Sequence, residues 1–205
     1  MAYDFSEDWF SSHIPTWDQI IHQKRPRRIV EVGSYEGRSA SYIIERCGAK
    51  QPVELWCIDT WQGSVENSPT VIMGDVERRF DRNIAEAKQV AAFPVTVNKV
   101  KSTSTIALAE LLVADKQPSM DLIYVDGSHQ APDVLSDAVL GFALLKVGGV
   151  MIFDDYLWCM EEPLKKDPLN MPKSSIDAFI NIFMRKLYII RGASMTQIYL
   201  EKIAH

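Results

Sequence analysis

Acidic side chains and a histidine recur in this sequence at the ends of short apolar runs. The sharpest pair is Asp126-Gly-Ser-His129, behind Leu122-Ile-Tyr-Val125, and Asp154-Asp155, behind Val150-Met-Ile-Phe153. If those runs are neighbouring strands ~4.8 Å apart, their terminal carboxylates converge on one small volume. Carboxylates held that close share either a proton or a cation. A hard divalent ion such as magnesium suits the oxygen ligands. His129 lies three residues past Asp126, where it can reach a substrate hydroxyl and act as general base. The plainer alternative has Asp126 as a cap, Asp154-Asp155 as a solvated loop start and His129 bonded to a backbone carbonyl.

Two further segments carry binding chemistry. In Glu31-Val-Gly-Ser-Tyr-Glu-Gly-Arg-Ser39, glycines at 33 and 37 permit a sharp turn and close approach of a ligand. A dinucleotide loop reads G-x-G-x-x-G, to bring a pyrophosphate to a helix N-terminus. Here Ser34, Tyr35 and Glu36 separate the glycines, and Glu36 would set negative charge beside a phosphate. A ligand with an amino group and a ribose but no phosphate suits the loop better. The alternative is a plain turn with a surface Glu36. Asp59, 26 residues beyond Gly33, can accept from both hydroxyls of a ribose or cap the segment that follows. Trp61 can wall an adenine or belong to the core or a lid.

The elements that must position these residues follow from hydrophobic pattern and punctuation. Strands are expected at Arg28–Gly33, Val53–Asp59, Val95–Val100, Asp121–Asp126 and Val150–Asp154. Helices are expected at Gly37–Cys47, Asp75–Val90 and Thr105–Ala114, with a fourth opening near Pro132 on an apolar stripe of Val134, Leu135, Ala138, Phe142 and Leu145. Four consecutive strand–helix–strand units give an α/β, doubly wound, Rossmann-like parallel sheet with helices on both faces. After a polar stretch, Ser174–Met184 reads as a last helix. Leu187–Arg191 and Thr196–Leu200 then form a hairpin about Gly192-Ala-Ser-Met195, giving the sheet an antiparallel edge. Residues 1–24 read as a helical cap, with Thr16 and Gln19 at capping-box spacing, and residues 25–205 as the main domain. Ligands of such sheets bind outside the carboxyl ends of the strands, where four of the five ends here carry acids.

Composition narrows the function classes. The chain has 205 residues, 47% hydrophobic and 24% charged, with a net charge of -5. This is one ordinary domain with ample core, and its charge argues against a nucleic-acid partner. The one basic cluster, Lys24-Arg-Pro-Arg-Arg28, reads as a solvated approach to the first strand. No apolar run reaches the ~20 residues of a membrane span. Three scattered cysteines, Cys47, Cys57 and Cys159, and an acidic N-terminus without an apolar leader point to a cytoplasmic protein.

At these motifs the sequence resembles the class I S-adenosylmethionine-dependent methyltransferases. The resemblance is to the small-molecule O-methyltransferase group related to the macrolide-sugar and catechol enzymes in particular. It runs through Val30–Ala40, Cys57–Ser64, Thr103-Ser104, Asp121–His129 and Leu145–Tyr156, and spans roughly residues 25–200. It implies a seven-stranded sheet of order 3-2-1-4-5-7-6 with strand 7 antiparallel. It also implies that S-adenosylmethionine is bound by Glu31, Gly33, Ser34, Tyr35, Gly37, Ser39, Asp59, Thr60, Trp61, Ser104 and Asp126. Asp126, Asp154 and Asp155 would hold magnesium, and His129 would be the base for a small-molecule hydroxyl acceptor. Three positions depart from the group's pattern: Val147 replaces a proline, Ala131-Pro132 replaces an aromatic after the histidine, and Asp154 varies among relatives. A nicotinamide-dependent oxidoreductase and a catalytically silent cofactor-binding protein are the rival readings. The cap and the edge hairpin make a homodimer plausible.

Overall fold

The computed structural model describes residues 3–64, 71–115, 117–162, 165–192 and 195–205. Parts of three expected loops lie outside them: 65–70, 163–164 and, in the hairpin turn, 193–194. The described strands are β1 (Arg28–Val32), β2 (Val53–Asp59), β3 (Val95–Lys101), β4 (Met120–Val125), β5 (Leu145–Phe153), β6 (Leu187–Ile189) and β7 (Ile198–Lys202). They form one sheet in the order β3-β2-β1-β4-β5-β7-β6. β1 to β5 run parallel, and β7 is antiparallel to both its neighbours.

The helices are α1 (Ile14–Lys24), α2 (Arg38–Gly48), α3 (Met73–Val90), α4 (Ser104–Asp115), α5 (Ala131–Leu144) and α6 (Pro172–Phe183). They cover both faces, so the central strands are buried on both sides and read as largely apolar runs, broken in β1 by Glu31. Ile29 faces a core shared with α1, α2 and α3, whereas Val30 and Val32 face one shared with α4, α5 and α6. On α3 the apolar residues Val76, Phe80, Ile84 and Ala87 are all buried. On α5 the stripe is narrower than expected: Leu135 is exposed, and Leu145 already belongs to β5. β5 therefore begins before Gly148, through an irregular register between Met120 and Leu122 of its partner. Lys202 is buried and donates to the carbonyls of Phe142 and Leu145, satisfying groups that the end of α5 leaves unpaired.

The expected cap is helical only in its second half. α1 starts at Ile14, with Pro15 in its first turn where a missing N–H costs nothing. Thr16 therefore sits inside the helix and not at its cap. Arg25, left-handed at φ 46°, and Pro26 then stop it. Residues 3–10 form no regular element, apart from bends, and run across the outside of the β1–α2 loop.

Candidate active site

β4 and β5 pair in parallel with Val125 opposite Phe153, so Asp126 and Asp154 leave the sheet side by side. One carboxylate oxygen each from Asp126 and Asp155 and one ring nitrogen of His129 lie within 4.8 Å of one another. His129 Nε2 is 2.9 Å from Asp155 Oδ2. Asp155 is held in the left-handed region at φ 54°, a conformation that costs a non-glycine residue ~1–2 kcal/mol. The strain turns its carboxyl back toward His129. Trp158, whose N–H bonds the Asp155 carbonyl at 2.9 Å, packs on the histidine ring with centroids 4.2 Å apart.

Asp154 points elsewhere. Its Oδ2 accepts from Gln197 Nε2 at 2.7 Å and contacts the Tyr124 hydroxyl, and its Oδ1 accepts the Asp155 N–H at 2.8 Å. The Tyr124 hydroxyl also lies 2.9 Å from Asp126 Oδ2. Gln197 is itself held by Trp17 Nε1 at 3.0 Å and by the Tyr199 hydroxyl. Of the three expected metal ligands, Asp126 and Asp155 therefore converge and Asp154 braces them. Burial, and then the charges of Asp154 and Asp155, push the Asp126 carboxyl far above the ordinary carboxylate range. A cation would relieve that repulsion. A cavity of about 10 Å³ lined by Asp126, His129, Asp154 and Asp155 matches a single water or ion, so the donor set fits a small hard cation.

At the neighbouring strand ends the carboxylates grip the protein's own loop. Asp59 Oδ2 accepts the N–H groups of Ser34 at 3.0 Å and Tyr35 at 2.9 Å, and Oδ1 that of Trp61 at 2.7 Å. A carboxylate has about four acceptor positions, so one remains for a further donor. Glu31 is fully buried and takes the hydroxyls of Ser34 and Ser39 at 2.5 and 2.6 Å. Burial raises its pKa to about 7. Thr60 spends its hydroxyl on the N–H of Gln62 at 3.2 Å. Tyr35 takes a left-handed φ of 45°. Gly37 caps α2, and Ser104 opens α4.

Two expectations change, and Gly33 gains a structural role: a side chain there would meet the Asp126 carbonyl at 1.9 Å, so this glycine admits the backbone that follows β4. Glu36 is neither at the surface nor facing the cleft: it is buried against Ser6 and Arg79. Trp61 is a core residue, packed on Phe80 at 4.8 Å with its N–H on the Tyr35 carbonyl. Phe10 and Trp17 of the N-terminal region are likewise core. Sequence reasoning gave no role to Tyr124 or Gln197. Tyr124 sits two residues before Asp126, on the same side of its strand, which is a readable signal. Gln197 carries none, because its place depends on the hairpin's register.

The sheet order and the acid-lined carboxyl edge are those of the class I methyltransferases. A family model described as a methyltransferase domain matches residues 30–156, and the chain belongs to that family. It is 31% identical over 144 residues to uncharacterized protein y4gI of Sinorhizobium fredii, covering 70% of this chain. The chain spans 14% and 50% of the length of two curated relatives it matches. Among solved structures, an O-methyltransferase from Bacillus cereus in complex with S-adenosylhomocysteine superposes with a TM-score of 0.63 at 16% identity, covering 98% of this chain and 84% of that one. The mycinamycin-pathway methyltransferase MycE, bound to magnesium and S-adenosylhomocysteine, gives 0.59 at 16% identity over 97% and 51%. The family match leaves the oxidoreductase reading without support.

Proposed function

We propose that this chain transfers the methyl group of S-adenosylmethionine to a hydroxyl oxygen of a small molecule, with magnesium assisting. The observation that carries the reading is the convergence of Asp126, His129 and Asp155 beside the loop that Asp59 and Glu31 hold open. Acids at successive strand ends suit a donor with an ammonium and a sulfonium charge. Asp59 would accept from its ribose, and Ser104 would border its adenine. Asp126 and Asp155 would hold the magnesium ion, with Asp154 fixing Asp126 through Tyr124. When bound, the ion would lower the pKa of an acceptor hydroxyl. His129 would take the hydroxyl proton, oriented by Asp155, for a gain of typically ~10² to 10⁴ in rate. Alignment of acceptor and methyl group would supply the rest, on the order of 7 to 11 kcal/mol.

Calorimetric titration of S-adenosylhomocysteine into chelator-treated protein tests the first step, and micromolar binding is expected. Asp59→Ala should weaken that binding about tenfold or more. Asp126→Ala should abolish turnover and the heat of magnesium binding while leaving the homocysteine compound bound. An Asp126→Ala protein fully active in chelator would overturn the metal's part.

A further inference from the structure

The β1–α2 loop is gripped from two sides. On the inner side Asp59 and Glu31 hold Ser34, Tyr35 and Ser39. On the outer side the Glu36 carboxylate, buried, accepts the Ser6 N–H at 2.6 Å, the Ser6 hydroxyl at 2.8 Å and Arg79 Nη1 at 2.6 Å. Asn83 of α3, fully buried, doubles the connection. Its Nδ2 donates to the carbonyls of both Asp4 and Glu36 at 2.9 Å, and its Oδ1 accepts the Asp4 N–H at 2.8 Å. Further along, Arg38 donates to the Glu7 carbonyl at 3.0 Å and lies over the Phe5 ring at 4.4 Å. Trp9 then rests on Tyr35 itself, with ring centroids 5.3 Å apart.

These contacts converge on one stretch of backbone. Tyr35 holds a left-handed conformation with its N–H on Asp59 and its ring under Trp9, and the next residue carries the carboxylate. A non-glycine residue keeps such a backbone only where the surroundings over-determine it. Charge-assisted bonds to a buried carboxylate are strong enough for that task. Exposed Ser6 needs no partner for its own sake, because water would satisfy it.

We propose that residues 3–10 are a strap that fixes the β1–α2 loop in its ligand-binding shape, with Glu36 as the latch and a positioning residue for the methyl donor. The proposal rests on the reading that this loop holds that donor. Removing the latch carboxylate does not orphan Arg79, which also faces Asp4 at 3.5 Å.

The test measures three quantities on the full chain: affinity for S-adenosylhomocysteine, hydrogen exchange across residues 3–10, and the thermal midpoint. Glu36→Ala should raise Kd about tenfold or more and speed exchange across the strap. Glu36→Gln keeps an acceptor for Ser6 and should recover most of both. Ser6→Ala removes one donor at an exposed position without risk to folding, and should weaken binding about threefold. It carries the test should Glu36→Ala fail to fold. Faster exchange with an unchanged Kd would make the strap mere covering, and unchanged exchange would remove the latch. Wild-type protein that does not bind the homocysteine compound overturns the methyl-donor reading and the loop's role with it. Wild-type binding with Kd unchanged in the variants overturns the strap alone.

Discussion

Single side chains at this site do two kinds of work, and their bonding partners separate them. Asp126, His129 and Asp155 meet at the mouth of the cleft, whereas Asp154, Tyr124 and Gln197 form a bonded support beneath them. Asp137 fits neither group. It is buried on α5, and burial raises its pKa to about 7 from 3.8 against the lowering effect of Ser104 beside it. The folded state then holds this proton more tightly than the unfolded chain. Stability from this group is full below about pH 4 and falls as pH rises toward about 7. Asp137→Asn should therefore be more stable than wild type at pH 8, by on the order of 1–4 kcal/mol, with the difference vanishing near pH 4. Thermal melts across that range would read it, and a variant no more stable at pH 8 would contradict it.

At the scale of elements, the strand-end loops are set by backbone contacts that no side chain announces. Gly33 and Gly37 look equivalent in sequence, and both take positive φ, 81° and 78°. Their surroundings differ. A Cβ at Gly33 would strike the Asp126 backbone at 1.9 Å, whereas one at Gly37 would touch the Phe80 ring at 3.0 Å. A ring edge can yield by a few tenths of an ångström, but a strand end cannot. Gly33→Ala should abolish soluble folded protein. Gly37→Ala should fold with a loss of roughly 1–2 kcal/mol from the left-handed backbone. Expression and denaturant midpoints would distinguish the two. The N-terminal region makes the same point: residues 1–24 read as a helical cap, but residues 3–10 lack regular structure, and no periodicity announces the strap.

For the whole molecule, the proposed magnesium site links stability to binding. A ligand that binds only the folded state at 100 times its Kd adds about 2.7 kcal/mol. Saturating magnesium should thus raise the thermal midpoint of wild type, and Asp126→Ala should erase the rise; an equal rise in both would place the ion elsewhere. No helix among the described residues is long and apolar enough to cross a membrane. By itself the sequence determined the alternation of strands and helices, the parallel sheet and the acids at its carboxyl edge, because apolar periodicity and turn chemistry are local. The motif residues Asp126, His129 and Asp155 were legible for the same reason, since each ends a strand or follows one closely. Tertiary structure alone decided that Asp154 turns to Gln197, that Trp61 joins the core and that Glu36 faces Ser6. Each of those outcomes depends on a partner 19 to 43 residues away, and no local pattern encodes where such a partner will stand.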